Sequence, residues 1–156
     1  MLRAHPDWTW DIYGEGEDRT RIEQWIEERK LNGKLNLKGY VSNVNELYSD
    51  YGMFVLTSRA EGMGMVLIEA QLAHLPVVSF DCLCGPSDVV VDGVNGELIP
   101  CFETDKMVDA MNNLMEDTEL RIKYSKHSQD RHKELKRTVI IEKWMNLIDE
   151  AASIKN

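Results

Sequence analysis

The sequence predicts a single α/β domain: a mostly parallel sheet with helices on both faces, followed by a helical C-terminal part. Three observations predict it. Short apolar runs alternate with stretches of helical period from Trp8 to Ile99. Two of those runs, Met53–Thr57 and Val77–Asp81, lack the in–out alternation of a strand with one wet face, as expected for strands covered on both sides. From Thr104 onward the pattern is helical throughout. The 156 residues suffice for one domain with its own core, and 43% hydrophobic residues spread along the chain argue against disorder.

Each element follows from local signals. Trp8–Tyr13 reads as a strand that ends at Gly14-Glu15-Gly16, and Glu17–Lys30 as a helix with Ile22, Trp25 and Ile26 on one face, stopped by Asn32-Gly33. Leu35–Lys38 is a short strand. Asn43 and Glu46 have capping-box spacing, so a short helix is expected through Leu47 and Tyr48. The strand Met53–Thr57 leads through a glycine-rich turn into a helix over Met65–His74, then the strand Val77–Asp81. Gly85-Pro86-Ser87 opens another short helix, Asp92-Gly93 and Asn95-Gly96 mark turns, and Gly96–Ile99 is the last strand. Thr104, Thr118 and Thr138 can each cap a terminal helix. The first of these carries Met107, Val108, Met111, Leu114 and Met115; the last carries Ile141, Trp144, Met145 and Ile148. Both stripes read as core.

Composition excludes several classes. The formal net charge is −9, and no run of Lys or Arg offers the basic face that a nucleic-acid partner needs. The apolar stretch from Met53 to Phe80 is broken by Arg59, Glu61, Glu69 and His74, so no transmembrane segment is expected. Cys82, Cys84 and Cys101 are odd in number, with two separated by a single residue; a reducing compartment and small, mostly buried side chains fit best. No histidine or cysteine spacing repeats as a metal site would, so no metal is expected.

In parallel α/β folds, ligands bind beyond the carboxyl ends of the strands. That rule singles out Gly14–Gly16, Gly39–Ser42, Ser58–Met65 and Cys82–Ser87. The segment Ser58-Arg59-Ala60-Glu61-Gly62-Met63-Gly64-Met65-Val66-Leu67-Ile68-Glu69-Ala70 is the most informative. Its glycines put free backbone at a strand-to-helix turn, where the N–H groups of Gly64, Met65 and Val66 can face an anion such as a diphosphate. Glu69 lies about one turn into the helix, and its side chain tilts back toward the N-terminus. An ionised carboxylate only accepts hydrogen bonds, which suits ribose hydroxyls and repels phosphate. Glu61 precedes the turn and can accept from sugar hydroxyls. Local chemistry alone leaves a second reading open, in which both glutamates merely complement a helix dipole.

The Glu61–Glu69 pair, with seven residues between its members in that segment, resembles the signature of glycosyltransferase family four, a retaining family of GT-B architecture. Other blocks are similar to the family in the same order: Trp10–Gly16, Leu37-Lys38-Gly39-Tyr40-Val41, Leu75-Pro76-Val77-Val78, Gly85-Pro86-Ser87-Asp88 and Asp92-Gly93-Val94-Asn95-Gly96. Together they cover about residues 7 to 150. The resemblance implies a Rossmann-like three-layer domain, the C-terminal half of a GT-B fold. It implies that Glu69 binds the ribose and that Glu61 is the catalytic-site carboxylate that contacts the transferred sugar. Met63, Gly64, Met65 and Val66 would meet sugar and diphosphate, and Gly39, Tyr40 and Val41 would lie near the nucleobase.

The implied activity is that of a hexosyltransferase moving a sugar from a nucleoside diphosphate, UDP favoured, to a hydroxyl acceptor in glycan or polysaccharide synthesis. It would use no cofactor and no metal. The acceptor, whether a glycan, a lipid-linked or a protein substrate, would bind on another domain. The chain departs from the family pattern at His74, where the family has Gly, and at the front, where a strand and helix bearing an Arg and a Lys are expected. Residues 1–156 are therefore expected to be one donor-binding domain trimmed at its N-terminal edge and separated from its acceptor domain. Such a piece would bind nucleotide weakly and be inactive alone. The expected location is the cytoplasm, with the full-length enzyme free to dock on the inner face of the membrane. Three alternatives remain: a GT-B epimerase or phosphorylase, a non-catalytic nucleotide-sugar-binding or scaffold module, and a dinucleotide oxidoreductase suggested by Gly14-x-Gly16. The last lacks a third glycine at the required spacing.

Overall fold

The computed structural model describes residues 1–134 and 136–153. Among them the chain runs β1 (Trp10–Tyr13), α1 (Arg19–Glu28), β2 (Leu35–Gly39), α2 (Val44–Leu47), a 3₁₀ turn (Tyr48–Asp50), β3 (Phe54–Leu56), α3 (Met65–Leu72), β4 (Val77–Asp81), α4 (Pro86–Val89), β5 (Gly96–Pro100), α5 (Thr104–Glu116), α6 (Thr118–Glu134) and α7 (Arg137–Ser153). Every strand pairing is parallel, so all five carboxyl ends follow one rule for where loops gather.

The ladder divides in two: β1 pairs with β2, and β3, β4 and β5 form a second sheet with β4 in the middle. Side chains join the two. Asp11 of β1 accepts from Asn36 Nδ2 at 2.7 Å and from the Tyr51 hydroxyl at 2.8 Å, with Lys38 Nζ 3.2 Å away. The hydroxyls of Tyr51 and Tyr13 lie 2.6 Å apart. Burial pushes the Asp11 carboxyl up, but the hydrogen bonds from Asn36, Tyr51 and Lys38 outweigh it and hold the group below the usual carboxylate range. Trp8 adds an apolar link, lying so close to Gly52 that a Cβ there would come within 2.6 Å of its ring.

Strand β4 shows why the domain has three layers. Successive side chains point to opposite faces. Val78 and Phe80 enter one core with Ile99 and with Met107, Met111, Leu114 and Met115 of α5. Val77 enters the other with Leu67 and Ala70 of α3, Val89 of α4 and Tyr48. Burying a Val or Leu fully is worth about 1.5–3 kcal/mol, and Val77, Val78, Leu67 and Leu114 have no exposed surface at all. A strand buried on both sides has no polar alternation to display, which explains the missing in–out pattern.

Three helix starts differ from expectation. Thr104 lies inside α5, whose cap is Glu103. Thr118 opens α6, and Asp117 one residue earlier provides the cap by accepting from the Leu120 amide at 2.9 Å. Thr138 lies inside α7, which begins at Arg137. A larger difference concerns the last stripe. Ile141, Trp144, Met145 and Ile148 are not core: they are 46–62% exposed, and no residue of α7 is buried among those described. The helical period identifies an amphipathic helix but not what its apolar face meets.

Candidate functional site

The β3–α3 turn is built around Gly64. It caps α3 in the left-handed conformation, φ 65° and ψ 46°, with no side chain closing the helix end. A Cβ on Gly64 would press on Leu67 Cδ1 at 3.1 Å. The first amides of a helix have no intrahelical partner. Among the described residues no carbonyl or side chain accepts from the amides of Met63, Gly64, Met65 or Val66. The result is a row of N–H donors at the positive end of a helix. Met63 and Met65 are more than half exposed beside it, Gly64 is buried, and Val66 is half-buried.

The neighbouring loop after β4 braces this turn. Gly85, at φ 95°, stands so close that a Cβ on it would come within 3.0 Å of the Met63 carbonyl carbon, 3.2 Å of Gly64 N and 3.4 Å of the Glu61 Cβ. A parallel bridge between Ala60 and Leu83 ties the same two loops together. Glu61 therefore lies on the β4–α4 side of the turn. Its negative charge contributes to raising the Cys82 thiol, after burial and the neighbouring Cys101.

Glu69 faces the 3₁₀ turn after α2. Its Oε2 accepts from the Tyr48 hydroxyl at 3.4 Å. Burial and then the Glu69 charge push the Tyr48 phenol up to about 12, so it stays a donor. Tyr48 ends the segment that begins at Gly39, Tyr40 and Val41. Gly39 is buried at φ 75°, beside Glu15 Oε1 and below the β1 turn, whose Gly14 N donates to the Gly39 carbonyl at 2.8 Å. Tyr40 is 78% exposed. Tyr40, Val41, Ser42, Asn43, Glu46 and Leu47 line a shallow depression of about 420 Å³.

The sequence-predicted residues thus fall on two adjoining stretches at the carboxyl ends of the strands: Glu61 to Glu69 around the α3 tip, and Gly39 to Val41 leading into α2. A second depression, of about 330 Å³, lies at the opposite end, where Gly52 and Pro76 precede β3 and β4. Neither depression is lined by Glu61 or the Met63–Val66 turn, which is an open ledge in this chain.

Sequence reasoning missed two contributors. Tyr48 read only as part of a short helix; a buried tyrosine seeks a hydrogen-bond partner, which was the available signal. Gly85 read as a helix opener, while its positive φ marks a close backbone approach. Other expectations are refined. His74 adopts φ 63° just after α3, as a turn residue in place of glycine. Of the cysteines only Cys82 is buried; Cys84 is exposed at φ 69° and Cys101 is intermediate. Among the described residues, no cluster of three His, Cys, Asp or Glu could hold a metal ion, and no helix is long and apolar enough to cross a membrane.

Comparison with known proteins bears on this arrangement. Residues 1–131 match the family pattern of glycosyl transferases group 1. The chain is 35% identical over 139 residues to poly(ribitol-phosphate) alpha-N-acetylglucosaminyltransferase of Staphylococcus aureus (strain COL), covering 88% of this chain and 28% of that protein. It is 31% identical over 155 residues to poly(glycerol-phosphate) alpha-glucosyltransferase of Bacillus subtilis (strain 168), covering 99% and 23%. A crystal structure of an S. aureus TarM mutant, in complex with fondaparinux, alpha-GlcNAc-glycerol and UDP, superposes with a TM-score of 0.86 at 32% identity over 94% of this chain and 30% of that one. The chain therefore spans between 23% and 30% of the length of these relatives. Its layers are those of the Rossmann-like C-terminal domain of GT-B proteins.

Proposed function

This chain belongs to the glycosyl transferases group 1, and from that premise we propose that it is the donor-holding part of a retaining, family-four hexosyltransferase. The donor is a nucleoside-diphosphate sugar, with UDP favoured. The observation that carries the reading is the α3 tip: amides without internal acceptors, with Glu61 on one side and Glu69 on the other.

The chemistry follows from that layout. The diphosphate lies across the amides from Met63 to Val66, where the helix dipole favours negative charge. Glu69 accepts from the ribose hydroxyls. Gly39, Tyr40 and Val41 lie against the base. Glu61 accepts from hydroxyls of the transferred sugar and orients it. As the bond from the anomeric carbon to the diphosphate breaks, charge grows on the leaving oxygen. Amides aimed there before the reaction stabilise it with no reorganisation cost. The proposed reaction requires no metal ion. Attack by the acceptor hydroxyl from the face the diphosphate leaves retains configuration; its proton passes to the departing diphosphate oxygen, so Glu61 is an orienting group. Relatives named as poly(ribitol-phosphate) and poly(glycerol-phosphate) glycosyltransferases, and a similar structure holding UDP, support a role in glycan or polysaccharide synthesis.

Glu69→Ala tests the assignment. It should weaken UDP binding by about 10-fold or more, the scale of hydrogen bonds to a charged group, and leave inorganic diphosphate binding nearly unchanged. Calorimetry with both ligands reads the difference. Equal losses for both would contradict a ribose-binding Glu69.

A further inference from the structure

We propose that Tyr48 is the positioning residue of the ribose subsite: its hydroxyl holds one oxygen of Glu69 so that the other faces the ligand. The inference rests on the ribose reading of Glu69 and extends it to a residue 21 positions away in sequence.

The geometry is specific. Tyr48 is 4% exposed, in the 3₁₀ turn after α2. It belongs to the buried core of Leu67, Ala70, Leu75, Val77 and Val89, and its ring meets Phe54 of β3 edge-on, with centroids 5.9 Å apart at 83°. Those contacts fix the ring, and a fixed ring fixes its hydroxyl. The hydroxyl reaches Glu69 Oε2 at 3.4 Å. Glu69 itself is half-buried, on the face of α3 toward Tyr48.

A glutamate that swings freely loses about 1.5–2 kcal/mol of rotamer entropy when a ligand fixes it. A donor held by the core removes part of that loss before the ligand arrives. It also divides the carboxylate's labour: Oε2 is engaged by Tyr48, while Oε1 and the remaining lone pairs stay available to a vicinal diol. The 3.4 Å separation is at the long end of hydrogen bonding. Such contacts often shorten in the ligand complex.

Tyr48→Phe removes the hydroxyl and keeps the ring, so the packing survives. The test compares UDP with 2′,3′-dideoxy-UDP on the wild-type 156-residue chain, on Tyr48→Phe and on Glu69→Ala. The expected result is a drop in UDP affinity of about 3- to 10-fold in Tyr48→Phe, the net worth of one hydrogen bond, with dideoxy-UDP affinity unchanged. Adding Tyr48→Phe to Glu69→Ala should then cost nothing further. A merely structural role would lower affinity for both ligands together, and that outcome overturns the proposal. Full discrimination in Tyr48→Phe alongside its loss in Glu69→Ala overturns the role of Tyr48 alone. No discrimination in the wild type overturns the ribose reading itself, and this proposal with it. Should Tyr48→Phe melt early, the ratio of UDP to dideoxy-UDP affinity in that variant still decides, because a reduced folded fraction lowers both affinities equally.

Discussion

Two glycine-bearing turns of this chain, Asp92–Gly96 and Glu61–Val66, treat their backbone in opposite ways. In the first, the chain closes the turn with its own hydrogen bonds. Gly93 N donates to the Gly96 carbonyl at 2.9 Å, and Val94 N to the Val91 carbonyl at 3.0 Å. The buried Asn95 takes the Val91 amide at 2.7 Å, Asp92 takes the Leu98 amide at 2.9 Å, and Lys123 reaches the Gly93 carbonyl at 2.9 Å. In the second turn the amides from Met63 to Val66 have no acceptor among the described residues. A turn whose hydrogen bonds are closed serves the fold. One whose donors are left open at a helix start is built to be closed by something else. Substitutions in the first should therefore cost stability alone, and those that disturb the backbone of the second should cost binding.

The largest effect is expected at Gly96→Ala. A Cβ there would stand 2.5 Å from the Val77 carbonyl oxygen and 3.0 Å from Val90 Cγ1. The first neighbour is backbone at the centre of the sheet and cannot swing away. Overpacking of this kind costs about 1–3 kcal/mol, and the rigid contact puts this site at the upper end. The denaturation midpoint should fall accordingly. Inorganic diphosphate affinity of the folded fraction should not change; a parallel loss of affinity would show that the two turns are not independent.

Gly64→Ala is the counterpart. Holding alanine at φ 65° costs about 1–2 kcal/mol. The new methyl also presses on Leu67, and relief of either strain rotates the amides of Met65 and Val66. Stability should fall less than in Gly96→Ala, while diphosphate affinity should fall about 10-fold, one charge-assisted hydrogen bond's worth. Calorimetry on both variants makes the comparison directly. Unchanged affinity in Gly64→Ala would remove the reason for calling this turn a site.

What could be read in the sequence follows the same division between local and tertiary causes. Strand β4 was legible to the residue, because burial on both faces leaves no in–out alternation. Helix α1 came out shorter than Glu17–Lys30, since Lys30 turns left-handed at φ 53° and the first turn starts only at Arg19. The stripes of α5 and α7 looked alike on paper. Met111 and Leu114 are buried against β4, whereas Trp144 and Ile148 face outward, because periodicity records an apolar face and not its partner. In the site, the order strand, glycine turn, helix placed Glu61 and Glu69 near the α3 tip. The Tyr48–Glu69 contact was illegible, because it joins α3 to a 3₁₀ turn that only the packed core brings alongside.

Met65→Ala should have the smallest effect and sharpens the comparison most. Met65 is the first helical residue of α3, and its side chain is 55% exposed. Alanine is at least as good a helix former, so the midpoint should move by no more than about 0.5 kcal/mol. The substitution leaves the Met65 amide in place, still behind Gly64 in its left-handed cap. If the backbone is what meets the diphosphate, inorganic diphosphate affinity should be that of the wild type within error. A marked loss would mean that the methionine side chain, rather than the open amides, makes the contact. The contrast with Asp92–Gly96 would then rest on side chains instead of backbone.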